Sequence, residues 1–464
     1  MSKLYVFGIG GTGARVLKSL SFLLASGVAC KSDSIVPIII DPDSANGDLS
    51  KTTNILRHYQ KIRKELSFDT SSKNEFFKTP IESLSPNFSI KVQNSNKRFK
   101  EFIDYGTLDS KNKALISLLF SEKNLNADME VGFKGNPNMG SVVLNQFNQS
   151  DDFKAFASSF AQGDKIFIIS SIFGGTGASG FPLLLKNIRS ADSSLDNFSL
   201  LQNAQIGAIS VLPYFGVKKD EGSDIEKSTF VSKTKAALRY YQHGVNDSVN
   251  AMYYIGDDVN KDYENNEGST AQKNDAHFIE LASALAILNF ANTSESDENQ
   301  VKEFGIENDV NSITFNHLND KTKFTIYKPL TQYYLFHLYT KTKLRGKLDM
   351  NFAANIGINS NFLAEDFYST LRGFNDAYWQ WLVQMSKNER GFNPFTLEES
   401  NENVLDSIKG IQLKNGGFLQ GTSNYERFTE KLNKTSKQIN KSVNIENRFV
   451  ENFYLATENL VKEK

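Results

Sequence analysis

Short uninterrupted apolar runs punctuate this chain, each followed by polar or glycine-rich residues and then by apolar positions at helical spacing. Residues 4–7 form the first run; after a glycine-rich turn at 8–13, the segment 14–25 carries Val16, Leu17, Leu20, Leu23 and Leu24 on one stripe. Residues 35–40 are apolar continuously rather than alternately, the pattern of a strand covered on both faces in a parallel sheet. The rhythm resumes with a strand at 165–172, a helix at 182–188, a strand at 205–212, a helix at 229–242, a short strand at 251–255 and a strongly apolar helix at 276–290. Strands alternating with helices predict an α/β fold with a doubly wound parallel sheet.

Two stretches depart from this rhythm. Residues from about 44 to 160 are polar and rich in Lys, Asn and Ser, with helices expected near 54–66 and 113–120, and read as an insertion in the first domain. Inside it, residues 132–141 are too glycine-rich for a helix and predict a ligand loop that includes Gly140 and Ser141. Beyond an acidic connector at 294–303, helical spacing dominates at 331–344, 362–385 and 424–461. The expected organisation is therefore a sheet domain over 1–293 and a mainly helical region over 294–464. In the latter, Trp379 and Trp381 with Phe374, Tyr378 and Leu382 read as core or subunit interface, and the charged C-terminal run as a solvated helix face.

Composition narrows the function classes. Across 464 residues, 52 basic and 53 acidic side chains leave a net charge of -1, which argues against a general attraction to nucleic acid or to a membrane surface. A single cysteine, Cys30, excludes an intrachain disulfide and a cysteine-rich metal site. No stretch reaches the ~20 apolar residues of a membrane span. The start, Met1 to Val6, runs directly into a strand without the layout of a secretory leader, so a cytoplasmic location is expected.

The chemistry concentrates in a repeated tetrapeptide. Gly-Gly-Thr-Gly occurs at Gly10-Gly11-Thr12-Gly13 and again at Gly174-Gly175-Thr176-Gly177, each time between a predicted strand and a predicted helix. Glycine admits close backbone approach, and a helix N-terminus presents unpaired N–H groups to an anion, so two such turns suggest one phosphate chain held from two sides. The first copy, with Gly8, also satisfies G-x-G-x-x-G, and Asp41 at the end of the second strand could meet a ribose hydroxyl, which keeps an NAD- or FAD-dependent oxidoreductase as an alternative. Neither turn is followed by a Walker lysine.

The second turn, read from Ile168 through Gly174-Gly175-Thr176-Gly177 to Arg189, resembles the signature of the tubulin and FtsZ superfamily, a strand followed by G-G-G-T-G-[S/T]-G and a helix. Leu183 to Arg189 lines up with the eukaryotic run L-L-I-S-K-I-R. Phe173, Ala178 and Ser179 depart from the pattern, and the chain looks most like the divergent bacterial tubulin-like proteins. The resemblance implies that Gly10 to Gly13 form the first nucleotide loop, Asp41 and Asp43 the second, and Gly140 and Ser141 a third near the γ-phosphate. It also implies that the strand before Pro213-Tyr214-Phe215 borders the ribose, and that Asn274-Asp275 opens the central helix.

Asp257, Asn274 and Asp275 would then face the base; a carboxylate accepts from both N1–H and N2–H₂ of guanine, a donor pair that adenine lacks. The implied cofactors are GTP or GDP with Mg²⁺, and the implied partner is a second copy of the chain. In that superfamily an acidic loop after the central helix completes the neighbouring subunit's site. Glu295, Asp297 and Glu298 hold that place here as catalytic candidates, without the family's spacing. The expected function is a GTP-binding protein, either a GTPase or a nucleotide-gated assembly factor. The alternative is a non-hydrolysing scaffold whose helical region recruits an unidentified protein partner.

Overall fold

The computed structural model describes residues 2–43, 46–70, 72–129, 133, 136–214, 216–217, 227–257, 262–263, 275–293, 300–304, 310–388, 390–398, 403–411, 413 and 423–461. Seven strands form its main sheet: β1 (Lys3–Ile9), β2 (Ser34–Ile40), β3 (Ser89–Ile90), β4 (Lys165–Ser171), β5 (Gln205–Val211), β6 (Ala251–Ile255) and β7 (Gln300–Phe304). They lie in the order β3-β2-β1-β4-β5-β6-β7, every pair parallel. The predicted doubly wound parallel sheet is therefore present. Its last strand comes from beyond residue 293, out of the stretch read as an acidic connector.

Alternation within each strand feeds two separate cores. Leu4 and Val6 of β1 face one layer, Tyr5, Phe7 and Ile9 the other, and β2, β4 and β5 divide in the same way. Pro37 sits inside β2 because its missing N–H costs nothing there. The amides on that side of the strand, Ile35 and Ile39, bond outward to the carbonyls of Pro80 and Phe88 at 2.9 and 2.6 Å, and no strand is paired beside position 37.

The first layer holds α1 (Gly10–Ala25) and α2 (Gly47–Lys64). The second holds α3 (Pro137–Leu144), α4 (Gly175–Arg189) and the helix Lys227–Gly244. Pro137–Leu144 corrects the expectation of a loop. Asn136 caps it by accepting from the amides of Asn138 and Met139, Pro137 occupies the first turn where its lost N–H is harmless, and Gly140 lets the helix close on Ser179 of α4.

The first layer continues through α5 (Phe278–Asn292), α6 (Asp320–Thr342), α7 (Asp366–Ser386), α8 (Asn424–Thr435) and α9 (Ile445–Leu460). Helix α1 is buried almost all round, because the sheet covers one side of it and α7 the other. Phe22 of α1 meets Phe374, Tyr378 and Trp381 at centroid distances of 5.2–5.7 Å, and the Trp381 indole N–H donates to Ser19 Oγ at 3.0 Å. The tryptophan cluster thus packs in the core, and the C-terminal helices share one hydrophobic cluster with α1 and α2.

Candidate functional site

Parallel strands leave their C-terminal ends unpaired with any returning turn, and in an open sheet the ligand crevice opens where the strand order reverses direction. Here that point lies between β1 and β4, the two strands that carry the Gly-Gly-Thr-Gly turns. The connections are short: α1 starts at Gly10 directly after β1, and Ile172, Phe173 and the N-cap Gly174 separate β4 from α4, which starts at Gly175. Gly10 has φ +70, a left-handed conformation that L side chains rarely adopt, and a Cβ placed on it would lie 3.7 Å from Cβ of Thr176. The two turns, distant in sequence, are in contact.

The eight motif residues divide by role. Gly13 packs on the backbone of Gly8, and Gly177 on Ser171, where an added Cβ would lie 2.5 Å from the carbonyl oxygen. The last glycine of each turn therefore lets helix and strand touch. Neither helix has a side-chain cap at its N-terminus, and neither carries an acid in its first turn. Both leave backbone N–H groups and the positive dipole end facing the crevice, the requirement for an anion site. After the second turn, Ser179 donates its hydroxyl to the Gly175 carbonyl at 2.7 Å, and Gly180 packs on Ile9.

Ile9 and Ile40 are register partners, so the residues after β2 flank Gly10. Asp41 accepts from the Asp43 amide at 3.1 Å and from Asn46 Nδ2 at 3.2 Å; burial, with the Asp43 carboxylate adding to it, pushes its pKa up to about 7. Asp43 is buried beside it. On the other flank, rings gather past β4 and β5: Phe173 lies 6.2 Å from Tyr214, and Tyr214 lies 4.9 Å from His277.

His277, not Asn274 or Asp275, caps the central helix. Its Nδ1 accepts from the Ile279 amide at 3.1 Å, and α5 begins at Phe278. The expectation that Asn274-Asp275 opens that helix is corrected to this extent, because the imidazole supplies the acceptor that the first turn requires. Asp275 is exposed just before the cap, while Asn274 lies outside the described residues. Asp257 is held in a buried ion pair with Arg390. Gly140 lies in the α3–α4 contact, and exposed Ser141 donates its hydroxyl to the Pro137 carbonyl at 2.9 Å. Glu295, Asp297 and Glu298 lie outside the described residues.

Comparison with known proteins gives eleven similar solved chains, among them the following three. CetZ from Methanosaeta thermophila strain DSM 6194 is 18% identical with a TM-score of 0.29, over 55% of this chain and 46% of that one. CetZ2 from Haloferax volcanii, a GTPgS-bound protofilament, is 15% identical with a TM-score of 0.32, over 64% and 61%. A mutant FtsZ from M. jannaschii is 14% identical with a TM-score of 0.28, over 55% and 46%. This chain spans about half to three-fifths of those solved chains. No protein family profile matches it, and no curated protein does.

One part of the site escaped the reading of the sequence. Arg15, two residues after the first turn, is buried and donates to Asp48 at 2.8 Å, to Glu280 at 2.5 Å, to the Tyr214 hydroxyl at 3.1 Å and to Thr12 Oγ1 at 3.4 Å. One guanidinium thus ties the first glycine turn to α2, to α5 and to the loop after β5. The outer oxygens, Asp48 Oδ1 and Glu280 Oε2, have no hydrogen-bond partner among the described residues. The sequence carried no signal for it, because Arg15 lies off the stripe of Val16, Leu17, Leu20, Leu23 and Leu24, where a charged residue reads as solvent-facing.

Proposed function

We propose that this protein binds a guanine nucleotide across the β1–β4 switch point, as the resemblance of its second turn to tubulin and FtsZ implies. The observation that carries the reading is the contact of Gly10 with Thr176 between two uncapped helix N-termini. The backbone amides of Gly10 to Gly13 and Gly174 to Gly177 would hold the phosphates, and the rings of Phe173, Tyr214 and His277 offer a face on which a base stacks.

Mg²⁺ fits this donor set only as an ion shared with phosphate oxygens and water. No group of three or more His, Cys, Asp or Glu residues among the described residues could cage a metal, and this is how Mg²⁺ is usually held beside nucleotides. When bound it would neutralise charge between the phosphates, with Asp41 and Asp43 nearest the first turn. Asp257 and Asp275 are the acids proposed to favour guanine, and Glu295, Asp297 and Glu298 the acids proposed for hydrolysis. Self-association with nucleotide, as a GTPase or as an assembly factor, belongs to the same proposal.

Strand order and Gly8-x-Gly10-x-x-Gly13, with Asp41 after β2, also match the plan of a dinucleotide site. Equilibrium titration separates the two. On the first reading GTP binds, NADH and ATP bind at least about tenfold more weakly, and Gly175→Val loses GTP while its unfolding transition persists. GTP affinity equal to wild type in folded Gly175→Val, or a preference for NADH, would refute the proposal.

A further inference from the structure

A second, unrelated cavity lies at the far end of the helical region. Its volume is about 210 Å³, enough for a small molecule rather than one water. One wall is a stripe of α9, formed by Asn447, Glu451 and Leu455; the other is the loop after α2, with Asp69 and Lys73. The two polar side chains of the helix hold that loop in place with one atom each. Asn447 Oδ1 accepts from the Ser67 amide at 2.9 Å, and Glu451 Oε1 accepts from the Lys73 amide at 3.0 Å.

Their other atoms are the informative ones. Glu451 is only 6% exposed, yet a single backbone N–H is its one hydrogen bond among the described residues, and no ion pair there joins it to a cation. Its second oxygen keeps solvent access at the wall of the cavity, where a carboxylate attracts a cation. Asn447, 1% exposed, likewise uses its oxygen on a neighbouring segment. Asp69 adds a second carboxylate at the exposed rim, and Leu455 and Val443 supply apolar surface between.

We propose that this cavity is a binding site for a short aliphatic amine. One ammonium would meet the free oxygen of Glu451, the methylenes would lie on Leu455 and Val443, and the second ammonium of a diamine would reach Asp69. Lys73 sets the length limit, since its own charge repels a longer cation from the remaining side of the mouth. The occupant would bridge the loop after α2 to the last helix of the chain.

The test is calorimetric titration of the full chain with 1,4-diaminobutane at constant ionic strength, with 1,4-butanediol as the uncharged probe of the same length. Saturable binding of the diamine at millimolar concentration or below is expected, with none for the diol. Glu451→Gln keeps an acceptor for the Lys73 amide and should weaken the diamine by about tenfold or more; Asp69→Asn, on the surface, should weaken it severalfold without affecting the fold. Absence of saturable diamine binding, equal binding of the diol, or unchanged affinity in both variants would each overturn the assignment. GTP binding by the same samples is an independent measurement, so failure here leaves the β1–β4 site unaffected.

Discussion

Identical glycines in the two turns do different work, and their substitutions should separate accordingly. A methyl group on Gly177 would lie 2.5 Å from the Ser171 carbonyl oxygen, and one on Gly13 would meet the backbone of Gly8. Backbone cannot yield as a flexible side chain does, so Gly177→Ala and Gly13→Ala are expected to cost about 1–3 kcal/mol of stability, seen as a lower midpoint in denaturant. Gly175→Val acts on the crevice instead, so the two classes of variant should be ordered oppositely in stability and in nucleotide affinity. The sequence showed all eight motif residues but not this division, because which glycine faces a strand and which faces a ligand depends on where the helix begins. Arg15 was illegible for a related reason: its partners Asp48, Tyr214 and Glu280 are brought to it only by the packing of α2, α5 and the loop after β5.

Two helices of the first layer carry buried histidines that make the fold sensitive to acid. Burial lowers the pKa of His277 to about 4 and that of His337 to about 3, both from an ordinary 6.5. Each is neutral in the native state, and each regains its proton at higher pH once unfolded. Through these two rings the unfolded chain binds more protons between about pH 4 and 6.5, which outweighs the one proton that Asp41 holds in the native state there, and stability falls as pH is lowered through that window. Thermal midpoints measured from pH 7.5 to pH 5 should decline.

Both ring nitrogens of His337 lack a partner while its ring stacks on Trp379 at 5.4 Å, so His337→Phe should raise the midpoint and flatten the decline. A decline of unchanged steepness would place the acid sensitivity elsewhere. At this scale the sequence was most informative for strands, whose apolar runs matched β1, β2, β4, β5 and β6 to within two residues at either end. Helix starts were less legible: α1 and α4 begin inside the glycine turns, α3 has a glycine at its centre, and α5 starts after a histidine cap. In each case tertiary contact overrides local propensity.

Across the whole molecule, one hydrophobic cluster joins α1 and α2 to α6, α7, α8 and α9. Removing the C-terminal helices would strip Phe374, Tyr378 and Trp381 from Phe22, and Tyr333 and Phe336 from Phe76, and would also remove β7 from the sheet. A fragment ending at residue 293 is therefore expected to be insoluble or molten, with lost near-ultraviolet dichroism, whereas the full chain should retain it; a well-folded fragment would show that the sheet is self-sufficient. The sequence predicted a boundary near residue 293; β7, beyond it, pairs in the main sheet, and helices on both sides of it share one core. What composition could not convey is that the helices cover the face of α1 that the sheet leaves open.

The abutting turns at Gly10 and Thr176 have one more consequence. A ligand held by both can exist as a complex only when β1 and β4 lie side by side, and the sequence separates those strands by the whole of α1, β2, α2, β3 and α3. Binding is then linked to folding of the sheet as a unit. A nucleotide at a hundred times its dissociation constant would add about 2.7 kcal/mol to the stability of the entire chain. The amount of folded protein in a cell would then follow the supply of nucleotide, whether or not any phosphate bond is ever broken.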